Sequence, residues 1–593
     1  MGRLAKLMFD RGGAIALLGL LLYAWLAPDY FVDGDNAEFA TLGTTGGIGH
    51  PSGYPLYILW LRATSWLPGS SAAHTTGLAT ALIAAIAIWV LHAACRAWGA
   101  KPAAASVACA LVATAPVVLR MSTEAEVFAL NDLIVALVLW LAAAEGPLRG
   151  VSRAGALGLV AGLGMSNHLT CMLVAPIGVY GIVLAVRERG LVVIAAALGG
   201  LVVGLTPYLY MFVAPDTRQA WTKVTTLGDV VRMFTRADYG GLTTFAESGE
   251  RHGGDNEVAL LGTIGRAFLW LPIAAAIYAF VVTIRARATR WAWLCVLVTA
   301  LIAGPWLVSN FNLVTVGVSG YVVRRFHLLV LVVLALPVAV GLGLVATRVL
   351  AGRLDPHGKL AHPRAGDALA LAVFVVAASL SLPGIARAHS FAVQRGVDNM
   401  LRNLPDNAAV ITRFDDLFCG SNYLQIIDGV RPDVRVMTPT LDPIRLARYG
   451  LEPPARPVAE MTSPGIELAE LLLQRGLPVF VDNRETDILS RFPHYPYGTL
   501  IRILPRGAKL PSIDEQRAMN EKLYERFVFD YEPPGASDDF PALAQLRYAD
   551  PWTAIGQQYE AAGRLDEARK MYAIAFALAP ADLVTEAPAP SPR

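Results

Sequence analysis

The sequence predicts a multispanning α-helical membrane protein of about 11 transmembrane helices, followed by a soluble α/β domain and a single tetratricopeptide-like helix pair. Three observations predict it. The 593 residues are 55% hydrophobic and only 16% charged, with a mean hydropathy of +0.48, too apolar for a soluble globule of this length. Stretches close to the ~20 apolar residues that a bilayer core demands recur along residues 12–385. Beyond Ile385 they stop, and the composition becomes that of an ordinary soluble protein.

Hydropathy places the spans near residues 12–29, 75–95, 103–120, 127–144, 154–167, 169–186, 190–213, 263–284, 291–313, 326–347 and 367–385. The distribution of Lys and Arg tests this division, because basic residues collect in cytoplasmic loops. Arg3, Lys6 and Arg11, then Arg96 and Lys101, Arg149 and Arg153, Arg187 and Arg189, Arg285, Arg287 and Arg290, and finally Arg348, Arg353, Lys359 and Arg364 fall on alternate loops. The opposite face holds Asp33, Asp35, Glu38, Glu124, Glu126, Asn167, His168, residues 214–262 and the C-terminal region. The N-terminus resembles a signal peptide but shows no small-residue cleavage site before the acidic loop, so a retained signal-anchor helix is expected.

In the soluble region, apolar runs at Ala409–Thr412, Val434–Met437, Pro478–Asp482 and Gly498–Leu504 predict strands, with helices near residues 418–428 and 465–475, and a parallel-type sheet. Gly556, Tyr559, Ala562, Gly563, Ala568 and Pro580 have the spacing of one tetratricopeptide helix pair. One copy cannot stack into a solenoid and instead caps the domain or docks a partner. The expected organisation is residues 1–388 membrane domain, 389–550 α/β domain, 551–580 helix pair and 581–593 disordered tail.

A net charge of +2, from 49 basic and 47 acidic residues, gives no electrostatic case for nucleic acid. The five cysteines show neither a disulfide framework nor metal-ligand spacing.

Chemistry is expected at the acidic loop after the first span. Asp35 and Glu38, three apart, share a face if the loop is helical and can supply a general base and a partner; acidic residues at a helix start also serve as caps. His50, inside His50-Pro-Ser-Gly-Tyr54-Pro55, is presented by a proline- and glycine-fixed turn, or marks only a turn back into the membrane. Glu126 and Asn131 start the fourth span, where a carboxylate also offsets the helix dipole. Asn167 and His168 meet where the fifth and sixth spans join, which a helical hairpin turn equally explains. Arg324 and Arg325 precede the tenth span on the acidic face and suit a phosphate or anionic headgroups.

Together Asp35-Asn-Ala-Glu38-Phe39, His50-Pro-Ser-Gly-Tyr54-Pro55, the segment from Glu126 to Asn131, and Asn167-His168-Leu-Thr170 resemble an uncharacterised-domain family that includes a eukaryotic ER protein O-mannosyltransferase, within the GT-C superfamily of membrane glycosyltransferases. The likeness covers residues 12–213 and the Arg324-Arg325-Phe326 element; Leu404 to Ala408 and Arg431 to Val434 also resemble the extracytoplasmic domain of bacterial members. Ser52 stands where proline or threonine is usual, and the loop after residue 214 has no match. The resemblance implies a GT-C-like fold and an inverting transfer of a sugar, mannose first, from a polyprenyl-phosphate donor to a Ser/Thr hydroxyl of an extracytoplasmic protein. Asp35 would be the base, Glu38 its partner, and Arg324 or Arg325 the stabiliser of the leaving phosphate, with His50, Tyr54, Glu126, Asn131, Asn167 and His168 around the substrates. Neither metal nor cofactor is expected. A glycan or lipid acceptor is the nearest alternative; a lipid-linked sugar flippase would need polar groups at the bilayer midplane, and a scaffold would leave Asp35 and Glu38 replaceable. The expected location is a bacterial inner membrane, with site and C-terminal region on the periplasmic side and a protein partner for the latter.

Overall fold

The computed structural model describes residues 11–240, 252–349, 363–453 and 463–581. Arg3, Lys6, Arg353, Lys359 and the tail after Ala581 lie outside the described residues.

Among the described residues, six helices are long and apolar enough to cross a membrane, or eight if each of two bent pairs makes one span. The expected count of about 11 is not confirmed by this criterion, although apolar helices stand at each expected position. Three of the expected spans, at Arg11–Leu26, Phe128–Ala142 and Gly150–Met165, are apolar helices below spanning length. Two others are broken. Pro102–Ala113 and Pro116–Thr123 meet at 67°, where Pro116 opens the second helix and cannot continue the first. Gly253–Phe268 and Leu271–Arg285 meet at 101°, because Leu269 and Trp270 both take positive φ (50° and 61°). The indole of Trp270 then lies over Gly265, whose absent Cβ would be 2.3 Å from it. A hydropathy window registers the apolarity of these residues and not the turn they make.

The Ala72–Ala97 helix is the centre of the bundle, packed against Arg11–Leu26 and Phe128–Ala142. Beside it, Gly150–Met165 and Val192–Gly204 pack through small residues. A Cβ on Gly158 would stand 1.9 Å from the Ala197 carbonyl oxygen, and one on Gly204 2.3 Å from that of Leu159. Such close backbone approach is how helices associate where lipid gives no hydrophobic drive. Ser166 Oγ donates to the Gly204 carbonyl at 3.1 Å, and so ties down the end from which Asn167 and His168 project.

The C-terminal region carries a five-stranded sheet in the order β2-β1-β3-β5-β4, with β1 Ala409–Ile411, β2 Arg435–Met437, β3 Val479–Val481, β4 His494–Tyr497 and β5 Leu500–Ile503. β1 pairs in parallel with β2 and β3, whereas β5 runs antiparallel to β3 and β4. The sheet is therefore mixed rather than parallel, since the β4–β5 hairpin reverses the chain with Gly498 at φ 60°. Asp539–Ala561 runs through residue 551 as one helix and packs on Leu565–Leu578, with Trp552, Ile555, Tyr559 and Met571 buried between them.

This region packs directly on the membrane helices. The Asp415–Ile426 helix lies along Gly34–Thr45, and the fit depends on a missing side chain. A Cβ on Gly34 would come within 2.6 Å of Asp415 Cβ and 2.8 Å of the Asp416 nitrogen. Gly34→Val is expected to cost about 1–3 kcal/mol by overpacking, read as a lowered thermal midpoint and faster proteolysis between the regions; an unchanged midpoint would contradict this packing.

Candidate active site at the acidic loop

The acidic loop folds as the Gly34–Thr45 helix. Asp33 caps it by accepting from the Asn36 N–H at 2.7 Å, and Asn36 Oδ1 accepts from the Val32 N–H at 3.1 Å, so both carboxylate positions follow from the cap. Asp35 and Glu38 then project from one side. Past Gly46 and Gly47, both at positive φ, the chain turns through Gly53 and Tyr54 (φ 90° and 47°) into the helix opened by Pro55. That turn returns His50 over the first helical turn. Glu38 accepts from the His50 backbone N–H at 2.9 Å and meets His50 Nδ1 at 2.5 Å; Asp35 Oδ1 is 4.0 Å from the same nitrogen. Tyr54 Oη contacts His50 Nε2 at 3.1 Å.

Arg325 arrives from the last turn of Gly317–Arg325. Its Nη1 donates to Asp35 Oδ2 and to Glu126 Oε1 at 2.9 Å. One turn earlier, Tyr321 donates to Asp33 Oδ2 at 2.7 Å, with its ring centroid 4.9 Å from the Arg325 guanidinium carbon. The i, i+4 spacing puts both on one face. Arg324, about 100° further round the helix, points elsewhere: its Nη2 donates to Asp539 Oδ1 at 2.7 Å, and Arg120 Nη1 to Asp539 Oδ2 at 2.9 Å. The paired arginines thus separate. Arg325 belongs to the loop, and Arg324 fastens the C-terminal region to it.

Asp33, Asp35, Tyr321 and Arg325 line a cavity of about 90 Å³ that is closed from the C-terminal side by Arg413, Phe414, Asp415, Asp416 and Arg484. Burial alone would raise the Asp35 carboxyl, but Arg325 and His50 outweigh it and hold the group below the usual carboxylate range. For His50 burial works against the proton, yet Glu38 and Asp35 prevail and lift the ring to about 9. Glu126 goes the other way: burial, only partly offset by Arg325, raises it to about 8. Asp33 is raised to about 7 by burial, then by Glu124 and Asp35. At neutral pH the ion pair is therefore Arg325 with Asp35, flanked by a protonated Glu126. Asp415, open to the cavity, is pushed to about 7 by enclosure in the protein and then by Asp35.

The remaining expected residues form a second layer. His168 Nδ1 is 2.7 Å from Thr170 Oγ1, its ring lies parallel to Tyr54 at 6.0 Å, and burial followed by Arg236 lowers it to about 3, so it is neutral. Asn131 Nδ2 donates to Thr170 Oγ1 at 3.3 Å, and Asn167 Nδ2 to the Val127 carbonyl at 3.1 Å, which fixes the segment carrying Glu126. Glu124 lies apart, held by Arg120 Nε at 3.1 Å and His389 Nε2 at 3.2 Å. Sequence reasoning missed Tyr321, Arg120, Asp415 and Asp539. A basic residue in an apolar segment was the one available signal, at Arg120; acidic residues at helix starts are too common to stand out.

Asp35, Glu38 and His50 offer three ligand atoms within 4.8 Å of one another, a set able to hold a divalent ion. Taking one would require His50 to lose its proton and Arg325 to release Asp35.

Comparison with known proteins bears on the sequence family and the fold. Residues 35–190 match the sequence model of the Protein O-mannosyl-transferase TMEM260 N-terminal domain. The mouse Protein O-mannosyl-transferase TMEM260 is 26% identical over 452 residues, 72% of this chain and 62% of the relative. Its counterpart from Dictyostelium discoideum is 22% identical over 253 residues, 39% of this chain and 30% of the relative. The chain thus spans about three fifths of the mouse relative and under a third of the other. The apo crystal structure of ArnT from Cupriavidus metallidurans superposes with a TM-score of 0.52 at 13% identity, over 84% of this chain and 98% of ArnT. By sequence the chain is similar to the TMEM260 protein O-mannosyl-transferases, and its membrane helices and C-terminal region share the fold of ArnT. The matched segment holds Asp35, Glu38, His50 and Glu126 together with Asn167 and His168, whereas Arg325 lies outside it.

Removing one partner of a fully buried ion pair costs about 3–5 kcal/mol, which is an upper bound for the part-buried pair of Arg325 and Asp35. Arg325→Gln is expected to destabilise by less than that bound, and Arg325→Gln with Asp35→Asn to recover a large part. Thermal unfolding of the two single variants and the double variant checks this, and additive losses would show that the pair is not coupled.

Proposed function

We propose that the protein is an inverting glycosyltransferase that moves a sugar, mannose first, from a polyprenyl-phosphate donor to a Ser or Thr hydroxyl of an extracytoplasmic protein. The observation that carries the reading is the meeting of Asp35 and Arg325 at one cavity, where a carboxylate able to accept a proton lies beside a cation able to hold a phosphate. The TMEM260 likeness supports mannose and a protein acceptor; the GT-C fold supports a lipid-borne donor.

The resting contacts suggest how the two act together. While Arg325 holds Asp35, the carboxylate is a weak base. An arriving donor phosphate competes for the guanidinium through charge-assisted hydrogen bonds. As Arg325 turns to it, Asp35 loses its cation and becomes more basic. The acceptor oxygen then attacks the anomeric carbon, its proton passes to Asp35, the bond from that carbon to the phosphate oxygen breaks, and the lipid phosphate leaves on Arg325. One displacement inverts the anomeric configuration. Glu38 takes no proton in this scheme; its contact with His50 keeps the turn closed over Asp35. The positive-inside pattern supports a site on the extracytoplasmic side, the periplasmic face if the membrane is a bacterial inner membrane. A flippase is disfavoured because these groups lie between apolar helices and not at their midpoints.

Purified protein in detergent, given labelled polyprenyl-phosphate mannose and extracytoplasmic protein from the same cell, is expected to transfer label to protein, and well-folded Asp35→Asn to do so at least 100-fold more slowly. Normal turnover by Asp35→Asn would remove Asp35 as the base. Arg325→Lys is expected to keep the charge but lose bidentate phosphate contact, lowering kcat more than it raises KM.

A further inference from the structure

A cleft of about 670 Å³ opens between the β4–β5 hairpin and the Asp539–Ala561 helix. Arg547, Asp550, Pro551, Ala554 and Gln557 line one wall, a stripe at helical spacing. His494, Pro496 and Leu500 contribute to the other. Phe414 lines both this cleft and the Asp35 cavity. The partition between the two spaces is that ring and the ion pair of Arg547 with Asp416, with Nη1 to Oδ2 at 2.5 Å and Nη2 to Oδ1 at 2.9 Å. Arg484 and Arg547 lie 4.1 and 4.4 Å from the Phe414 ring centroid and hold it in place.

We propose that this cleft binds an extended segment of the acceptor polypeptide and directs its hydroxyl toward the Asp35 cavity; the proposal rests on the glycosyl-transfer reading above. Its volume is that of a site for a small ligand or a few residues of chain. The lining is largely apolar, with the amides of Asn483, Gln557 and Gln558 among it, a mixture that matches small apolar side chains and peptide groups better than a polyol. Its charge is complementary to a neutral or basic segment. Asp482 and Asp550 line it, while the one lining cation, Arg547, is neutralised by Asp416. That balance repels a polyprenyl phosphate, which leaves the cleft to the acceptor and the Arg325 side to the donor. The segment cannot join the sheet as a further strand. Asn520 already covers the β4 edge, donating to the Pro496 carbonyl at 3.0 Å and accepting from the Gly498 N–H at 2.8 Å, and Pro496 has no N–H to offer. It lies across the sheet face instead, held by side-chain contacts that tolerate varied sequence.

The test uses full-length Asp35→Asn protein in detergent, which binds without turnover, and a fluorescein-labelled pool of randomised 12-residue peptides containing Ser and Thr. Saturable anisotropy is expected, weakened at least tenfold by Ala554→Trp, which places an indole in the cleft; Gln557→Trp replaces it if the first variant melts early. With Asp35 restored, Ala554→Trp is expected to raise the peptide KM at least tenfold and leave release of mannose from the donor to water unchanged. Absence of saturable binding by folded protein would overturn the proposal. So would displacement of the peptide by mannose oligosaccharide but not by unlabelled peptide, or a tenfold gain in peptide affinity on truncation after Ala581, which would make the chain's own tail the occupant. Peptide binding that persists in a protein unable to use polyprenyl-phosphate mannose supports the cleft and counts against the donor alone.

Discussion

Arg325 is the charge on which the acidic loop depends. Asp33, Glu38, Glu124 and Glu126 are buried and Asp35 is partly so, and taking several carboxylates out of water is unfavourable unless each meets a proton or a cation. The structure uses both. Arg325 serves Asp35 and Glu126, Arg120 serves Glu124, and His50 serves Glu38, while burial leaves Glu126 and Asp33 with raised proton affinity. Cap, turn and short helix are each arranged to bring one of these partners within reach.

The C-terminal region belongs to the same balance. Asp539 joins Arg120, next to the Phe128–Ala142 helix, to Arg324, next to Arg325, and Asp415 and Phe414 roof the cavity. A region of ordinary soluble composition therefore has two tasks, closing the site against water and supplying the counter-ion that holds Arg324 away from Arg325. The second task explains why two adjacent arginines have different surroundings.

Much of the fold was legible because bilayer helices announce themselves by apolarity, and the acidic loop because carboxylates beside such helices are rare. The Leu269–Trp270 break was hidden, as neither residue is one that turns usually employ. β4 was hidden because His494-Tyr-Pro-Tyr497 has a proline and no apolar alternation. The expected roles of Asp35 and Glu38 rested on a shared helical face, and the Asp33 cap provides it. The difference between Arg324 and Arg325 could not be read from the chain, since it is set by Tyr321 and Asp539, 215 residues from Arg324 along the sequence.

The contact between Arg325 and Asp35 joins residues 290 apart, and this has a consequence for biogenesis. A ribosome delivers the carboxylates early and their guanidinium late. In the interval the first helices must enter the bilayer with acidic groups lacking that counter-ion, a state protons can relieve. A chain interrupted before Arg325 would carry the whole of residues 35–190, which match the family model, and none of this counter-charge, so the acidic loop is completed only after more than half of the chain has been made.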